Sequence, residues 1–106
     1  MRRVILESPY AGDIKANIEY AKECARDCLR RNEAPMASHL LFTQPGILRD
    51  DIPSERALGI AAGHAWTGVA DAVVVYTDRG ISSGMNAGIE RAAQCGIAVI
   101  YRSLHD

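Results

Sequence analysis

The stretch that decides the fold begins Asp71-Ala-Val-Val-Val-Tyr-Thr-Asp78 and continues Arg79-Gly-Ile-Ser-Ser-Gly-Met-Asn-Ala-Gly88. The apolar run from Ala72 to Tyr76 predicts a strand that is buried on both faces, as in a parallel sheet. An acid follows this strand, and a loop of small residues then leads directly into an Ala-rich helical segment. The junction places backbone N–H groups and the positive end of a helix dipole where open α/β sheets bind ligands. We therefore expect a ligand here that carries hydroxyls, phosphate or both.

The segments on either side of this stretch alternate between strands and helices. Pro35 argues against a central position for the second strand. The order predicts an open parallel α/β sheet of about four to five strands with helices on both faces. The predicted strands are residues 4–6, 34–37, 71–77 and 97–101, and the predicted helices are residues 13–31, 53–69 and 83–94. The predicted buried face of the second helix is Leu58, Ala61, Ala62, Ala65, Trp66 and Val69.

Length and composition restrict the classes of protein that fit. The chain has 106 residues, which suits one domain spanning residues 1–106. Its formal net charge is −1 with acids and bases interspersed, so no nucleic-acid partner is expected. No apolar run approaches the ~20 residues that span a bilayer, and the opening segment turns acidic too early for a signal peptide. We therefore expect a cytoplasmic protein with no membrane partner.

The cysteines and the known phosphate motifs give no sign of a cofactor. Cys24 and Cys28 are one helical turn apart, but Cys28 falls in the apolar stripe of its helix and no histidine has zinc-finger spacing. With Cys95 the count is odd, and all three are predicted to be reduced thiols. Neither a phosphate-binding Gly-Lys-Ser/Thr loop nor a full dinucleotide fingerprint is present. No metal or other cofactor is expected.

The loop after the first strand is one candidate binding element. It holds Ser8, Tyr10, Gly12 and Asp13 and is followed by Asn17. In a parallel sheet this loop lies at the same edge as the loop that follows Asp78. A nucleoside can stack on Tyr10 there while Asn17 or Asp13 bonds a polar edge. The alternative is that Asp13 only caps the first helix and Tyr10 only packs beneath the loop.

The second candidate element is the helix start formed by Ser82, Ser83, Gly84 and Met85. A serine at this position is a common helix cap, so a purely structural role is the alternative. The tandem Ser-Ser-Gly after a buried strand favours binding. In that case a sugar or phosphate oxygen accepts hydrogen bonds from the Gly84 and Met85 N–H groups and from one serine hydroxyl.

Few residues can carry acid–base chemistry. Glu90 on the third helix and Asp78 at the strand end are the candidate catalytic carboxylates, and a solvated surface role is the alternative for Glu90. His39, beside a predicted strand end, is a candidate acid–base or binding group, whereas His64 falls in the middle of a helix. No Ser–His–Asp order is present.

Three segments resemble small, often phage-encoded relatives of the nucleoside 2-deoxyribosyltransferases. They are Ser8-Pro-Tyr-Ala-Gly-Asp-Ile-Lys-Ala-Asn-Ile18, Ser38-His-Leu-Leu-Phe-Thr-Gln44 and Ile81-Ser-Ser-Gly-Met-Asn-Ala-Gly-Ile-Glu90. The resemblance implies a flavodoxin/Rossmann-like α/β fold, a homo-oligomer (dimer or higher), and cleavage of the N-glycosidic bond of deoxynucleosides or deoxynucleotides.

The resemblance also implies roles for individual residues. In that family an opening-loop tyrosine helps to hold the substrate, which implies this role for Tyr10. A glutamate on the helix after the small-residue loop attacks the anomeric carbon. Aligning Gly84 with the family's loop glycine places Gly88 at the position of that glutamate, and Glu90 lies two residues further along.

Two functions of different kinds therefore stay open, with a third beside them. The first is an enzyme, a hydrolase or transferase, that acts at the N-glycosidic bond of a deoxynucleoside or deoxynucleotide with Glu90 or Asp78 as the carboxylate beneath C1. The second is a protein of the same fold that binds or sequesters a nucleotide, or a signal derived from one, without cleaving it. The third is an interaction subunit whose His64 and Trp66 face mediates assembly.

Overall fold

The computed structural model describes residues 1–105. Within that range strands and helices alternate as the sequence predicts. The strands are β1 (Arg2–Glu7), β2 (Glu33–Met36), β3 (Ala72–Tyr76) and β4 (Ala98–Arg102). The helices are α1 (Ile14–Arg30), α2 (Ser38–Leu41), α3 (Pro53–Ala65) and α4 (Ser83–Cys95), with a short 3₁₀ helix at Thr67–Val69. The four-residue α2 was not predicted.

The strands form one parallel sheet in the order β2-β1-β3-β4. Ile5 pairs with Val73 across β1 and β3, and Val73 pairs with Val99 across β3 and β4. Pro35 lies in the edge strand β2, as its missing N–H requires. The chain leaves β1 toward one edge of the sheet and returns to the other side at β3. This change of direction is the switch point at which open α/β sheets bind ligands.

Both faces of the sheet are covered, as predicted. The side chains of the fully buried β3 alternate between two apolar clusters. Val73 and Val75 pack with residues of α4 on one face, while Val74 and Tyr76 pack with residues of α1 on the other. Cys24 and Cys28 belong to the α1 cluster as free, buried thiols, so the predicted apolar placement of Cys28 is confirmed.

The helix boundaries also follow local sequence signals. Asp13 caps α1 by accepting a hydrogen bond from the Ala16 N–H at 3.2 Å. Pro53 is the first residue of α3. Gly96 ends α4 with φ of 68°, a left-handed conformation that favours glycine. In the part of the chain described, no helix is both long and apolar enough to cross a membrane.

The predicted buried face of α3 is wrong. Leu58, Trp66 and Val69 are 59%, 51% and 54% exposed, and Gly63 is the buried residue of this helix. The reason is topological, because α3 makes its main contacts with α2 and the 3₁₀ helix. The large apolar side chains on this side of α3 and of the 3₁₀ helix are therefore not covered by other described residues.

Candidate functional site

A cleft of about 140 Å³ opens beside the carboxyl end of β1. It has three walls: the end of β1 with the loop that follows, the start of α4, and the segment that contains α2 and α3. Seven of the candidate binding residues line it, namely Ser8, Tyr10, His39, Ser82, Ser83, Gly84 and Met85. The two loops that the sequence predicts to share a sheet edge therefore do share one cavity.

Glu7 also lines this cleft, and the sequence interpretation missed it. Side chains alternate along a strand, so Glu7 lies on the same face of β1 as Ile5, which packs in the α4 cluster. An ideal Cβ built at Gly88 of α4 would lie 2.5 Å from Glu7 Oε2 and 2.6 Å from Cδ. The Glu7 carboxyl thus fills space that exists because residue 88 has no side chain.

The Glu7 carboxyl has no protein partner among residues 1–105. No described group donates a hydrogen bond or forms an ion pair with it. Neither of its two oxygens is sealed from solvent, because every sealed side-chain oxygen or nitrogen in this range has a hydrogen-bond partner and these two have none. Burial raises the pKa of Glu7 to about 8, so the carboxyl is largely neutral at pH 7.

Ser8 and His39 form a close pair in the same cleft. Ser8 Oγ and His39 Nε2 share a hydrogen bond of 2.6 Å, and Ser8 is 5% exposed. Burial lowers the pKa of His39 to about 4, so the imidazole is neutral at pH 7. The pair is thus a fixed, uncharged polar group that joins the β1 wall to the α2 wall.

The start of α4 combines a cap with open donors. Ser82 caps the helix because its Oγ accepts the Met85 N–H at 3.3 Å, and the Ser82 N–H donates to Met85 Sδ at 3.4 Å. The Met85 N–H, which the sequence predicts to bind ligand together with the Gly84 N–H, is therefore already engaged within the protein. Within the described chain the N–H groups without a protein acceptor here are those of Ser83 and Gly84.

Three residues predicted to bind ligand instead shape the loop after β1. The Asn17 side-chain amide donates to the carbonyl oxygens of Tyr10 and Ala11, each at 3.0 Å. Asp13 caps α1, and Gly12 turns the chain with φ of 100°. Asn17, Asp13 and Gly12 lie outside the lining of the cleft and hold the loop that carries Tyr10.

The two carboxylates named as catalytic candidates also lie outside this lining. Asp78 accepts hydrogen bonds from Tyr20 Oη at 2.6 Å, from the Leu104 N–H at 3.1 Å and from the Ser103 hydroxyl. Burial opposes ionisation of Asp78, but these hydrogen bonds outweigh it and lower its pKa to about 2. Glu90 is exposed on α4.

The third wall supplies charge that the sequence did not point to. Asp50, Glu55 and Arg56 line the cleft. Arg56 Nε lies 3.9 Å from Asp50 Oδ1, and Glu55 Oε1 accepts the Arg49 N–H at 3.0 Å. Asp50 lies in a turn-rich segment that gives no periodic signal, and Glu55 and Arg56 lie in the first turn of α3, where charged residues are ordinarily solvated. Glu7 could have been found, because it follows a buried strand just as Asp78 does.

These features define an α/β protein of the Rossmann-like class with a cleft at the switch point of its sheet. The chain belongs to the family described as a domain of unknown function, DUF7768, whose model matches residues 2–102. None of the curated proteins matches it in sequence.

Solved structures with the same fold include two 2-deoxyribosyltransferases. One, from the psychrotolerant bacterium Bacillus psychrosaccharolyticus, superposes with a TM-score of 0.66 at 14% identity, covering 95% of this chain and 72% of that protein. Another, from Leishmania mexicana, gives 0.62 at 12% identity, covering 97% of this chain and 65% of that protein. At such identities the likeness establishes the fold.

Proposed function

We propose that this chain binds a deoxynucleoside or deoxynucleotide in the cleft and cleaves or transfers at its N-glycosidic bond. The observation that carries the proposal is the meeting of Tyr10 and the start of α4 in one cavity. An aromatic ring and two free N–H groups at a helix start are complementary to a base and to a phosphate or sugar oxygen. The fold shared with 2-deoxyribosyltransferases supports the same class of ligand.

In the proposed binding mode the base stacks on Tyr10 and the sugar lies across the cleft. The 5′ phosphate, or a sugar hydroxyl, accepts hydrogen bonds from the Ser83 and Gly84 N–H groups. Arg56 is the one lysine or arginine among the described residues that line the cleft, and it supplies the positive charge for a bound phosphate. The cleft then selects a ligand with an apolar, flat end and an anionic or hydroxylated end.

Binding without turnover is the second candidate function. It is favoured by the placement of Asp78, which is engaged by Tyr20, Ser103 and Leu104, and by the exposed position of Glu90. A protein that keeps this binding cleft but lacks a nucleophile would sequester or sense a nucleotide.

Incubation with a panel of deoxynucleosides and their 5′ phosphates tests both functions. Thermal stabilisation that grows with ligand concentration reports binding. Mass analysis of the bound and released species then separates the candidates, because an enzyme releases free base and a sequestering protein returns the ligand intact. A panel in which no member raises the melting temperature would contradict both.

A further inference from the structure

Cleavage of an N-glycosidic bond requires a negatively charged or nucleophilic group near the sugar. Positive charge builds up on the anomeric carbon and ring oxygen as the bond to the base breaks. A carboxylate held against that carbon stabilises the charge or attacks it. If the proposed function holds, on which this inference rests, one carboxylate of the cleft has this task.

Three carboxylates line the cleft, and two of them are already engaged. Asp50 faces Arg56, and Glu55 accepts a backbone N–H. Both belong to the α2–α3 wall, opposite the free N–H groups of α4. Glu7 alone of the three lies between β1 and α4, one residue from the Ser8–His39 pair and within the same lining as Tyr10.

We infer that the Glu7 carboxylate, seated against Gly88 with its oxygens open to the cleft, is the catalytic residue that meets the anomeric carbon. A glycine at residue 88 is what lets the β1 carboxyl reach this place, since any side chain there would collide with it. The role falls to a residue on the strand, not to the exposed Glu90 on the helix.

The step balances with water as the co-reactant. Glu7 Oε forms a bond to C1′ while the C1′–N bond breaks. The electron pair of the C1′–N bond leaves with the base, which takes a proton from solvent. Water then attacks C1′ of the resulting ester, which releases the deoxyribose, returns the electron pair to Glu7 and gives its proton to solvent. A second base in place of water gives transfer.

The reactive form of Glu7 is ionised, so its raised pKa predicts the pH dependence. Base release should increase with pH through a midpoint near 8, where half of Glu7 is ionised, and should level off about one pH unit higher, where ionisation is nearly complete. The other titratable or charged side chains that face the cleft are Tyr10, His39, Asp50, Glu55, Arg56 and His64. Burial lowers the pKa values of His39 and His64, so neither gives a rising limb near pH 8.

The experiment compares base release and nucleotide binding in matched variants. Glu7→Gln keeps the shape but not the nucleophile, and should lose at least about 100-fold in base release while a nucleotide still raises the melting temperature. Gly88→Ala keeps the Glu7 carboxyl but displaces it, and a displacement of this kind should lower the rate of base release by up to about 100-fold. The controls are Glu23→Gln on the exposed side of α1 and Gly68→Ala, whose added Cβ meets nothing within 4 Å.

Two further readouts separate catalysis from a structural role. Formate added to Glu7→Ala should restore part of the base release, since a small carboxylate fits the vacated space. Acid-quenched wild-type protein should carry a deoxyribosyl adduct on the peptide that contains Glu7, seen by mass spectrometry.

The outcomes are distinguishable. Base release by Glu7→Gln within about threefold of wild type would overturn the assignment. So would a result in which Glu90→Gln or Asp78→Asn abolishes base release while Glu7→Gln stays active. A wild-type chain that binds nucleotides but releases no base would also overturn it, and would leave sequestration as the function. A chain that binds no nucleotide would remove the proposed function itself.

Discussion

Replacing Glu7 by glutamine should change how the free energy of unfolding depends on pH. The pKa of Glu7 is about 8 in the folded chain because of burial, against 4.5 for the ordinary side chain. Between these values the folded state holds a proton that the unfolded state has lost, so wild-type stability falls as pH rises. The slope approaches about 1.4 kcal/mol for each pH unit midway between the two pKa values and flattens near each of them, so the decline from pH 5 to pH 8 amounts to about 3 kcal/mol.

Glutamine resembles the neutral carboxyl and does not titrate, so Glu7→Gln should lack this decline. The two proteins should be similarly stable at pH 5, and the variant should be the more stable by about 3 kcal/mol at pH 8. Urea unfolding followed by far-UV circular dichroism at pH 5, 6, 7 and 8 measures the difference. His39 titrates in both proteins, so its contribution cancels in the comparison.

Glu23→Gln is the matched control for this measurement. Glu23 is exposed on α1, so its replacement should shift stability by less than about 0.5 kcal/mol at every pH. If wild type and Glu7→Gln gave parallel curves from pH 5 to pH 8, the Glu7 carboxyl would not be buried as described. The assignment of Glu7 to the cleft chemistry would then lose its electrostatic support.

Three other perturbations test separate parts of the molecule. Tyr10→Ala should weaken nucleotide binding about tenfold by calorimetry through loss of base stacking, whereas Tyr101→Ala, on the exposed side of β4, should not. Arg102→Met should cost about 3 kcal/mol of stability at pH 7. The substitution removes Arg102 Nη1, which lies 2.7 Å from Glu33 Oε1, and so leaves the buried Glu33 carboxylate without its ion-pair partner. That loss of stability should shrink toward pH 4 in urea melts, because the Glu33 of the variant lacks the Arg102 hydrogen bonds that lower its pKa in the wild type, and burial then favours its protonation. Light scattering should find a homo-oligomer at micromolar concentration that Trp66→Ser shifts toward monomer, and a wild-type monomer would contradict this expectation.

Much of the fold is encoded locally and was predicted from the sequence. The apolar run of β3 indicates a central parallel strand, Pro35 indicates an edge strand, and Asp13 and Gly96 mark helix ends. Each signal depends on the geometry of a few neighbouring residues. The meeting of Tyr10 with the α4 start also followed, because the carboxyl ends of parallel strands share one edge.

Only the tertiary structure decided which side chains share the cleft and which are engaged elsewhere. The Asp78 carboxylate is held by Tyr20 and Ser103, which are 58 and 25 residues away in sequence. Glu7 reaches the cavity because Gly88, on a different element, leaves room for it. Leu58 and Trp66 stay exposed because the main packing partners of α3 are α2 and the 3₁₀ helix. Periodicity and caps are local properties, whereas packing and hydrogen bonding join residues far apart in the chain, and no local pattern records them.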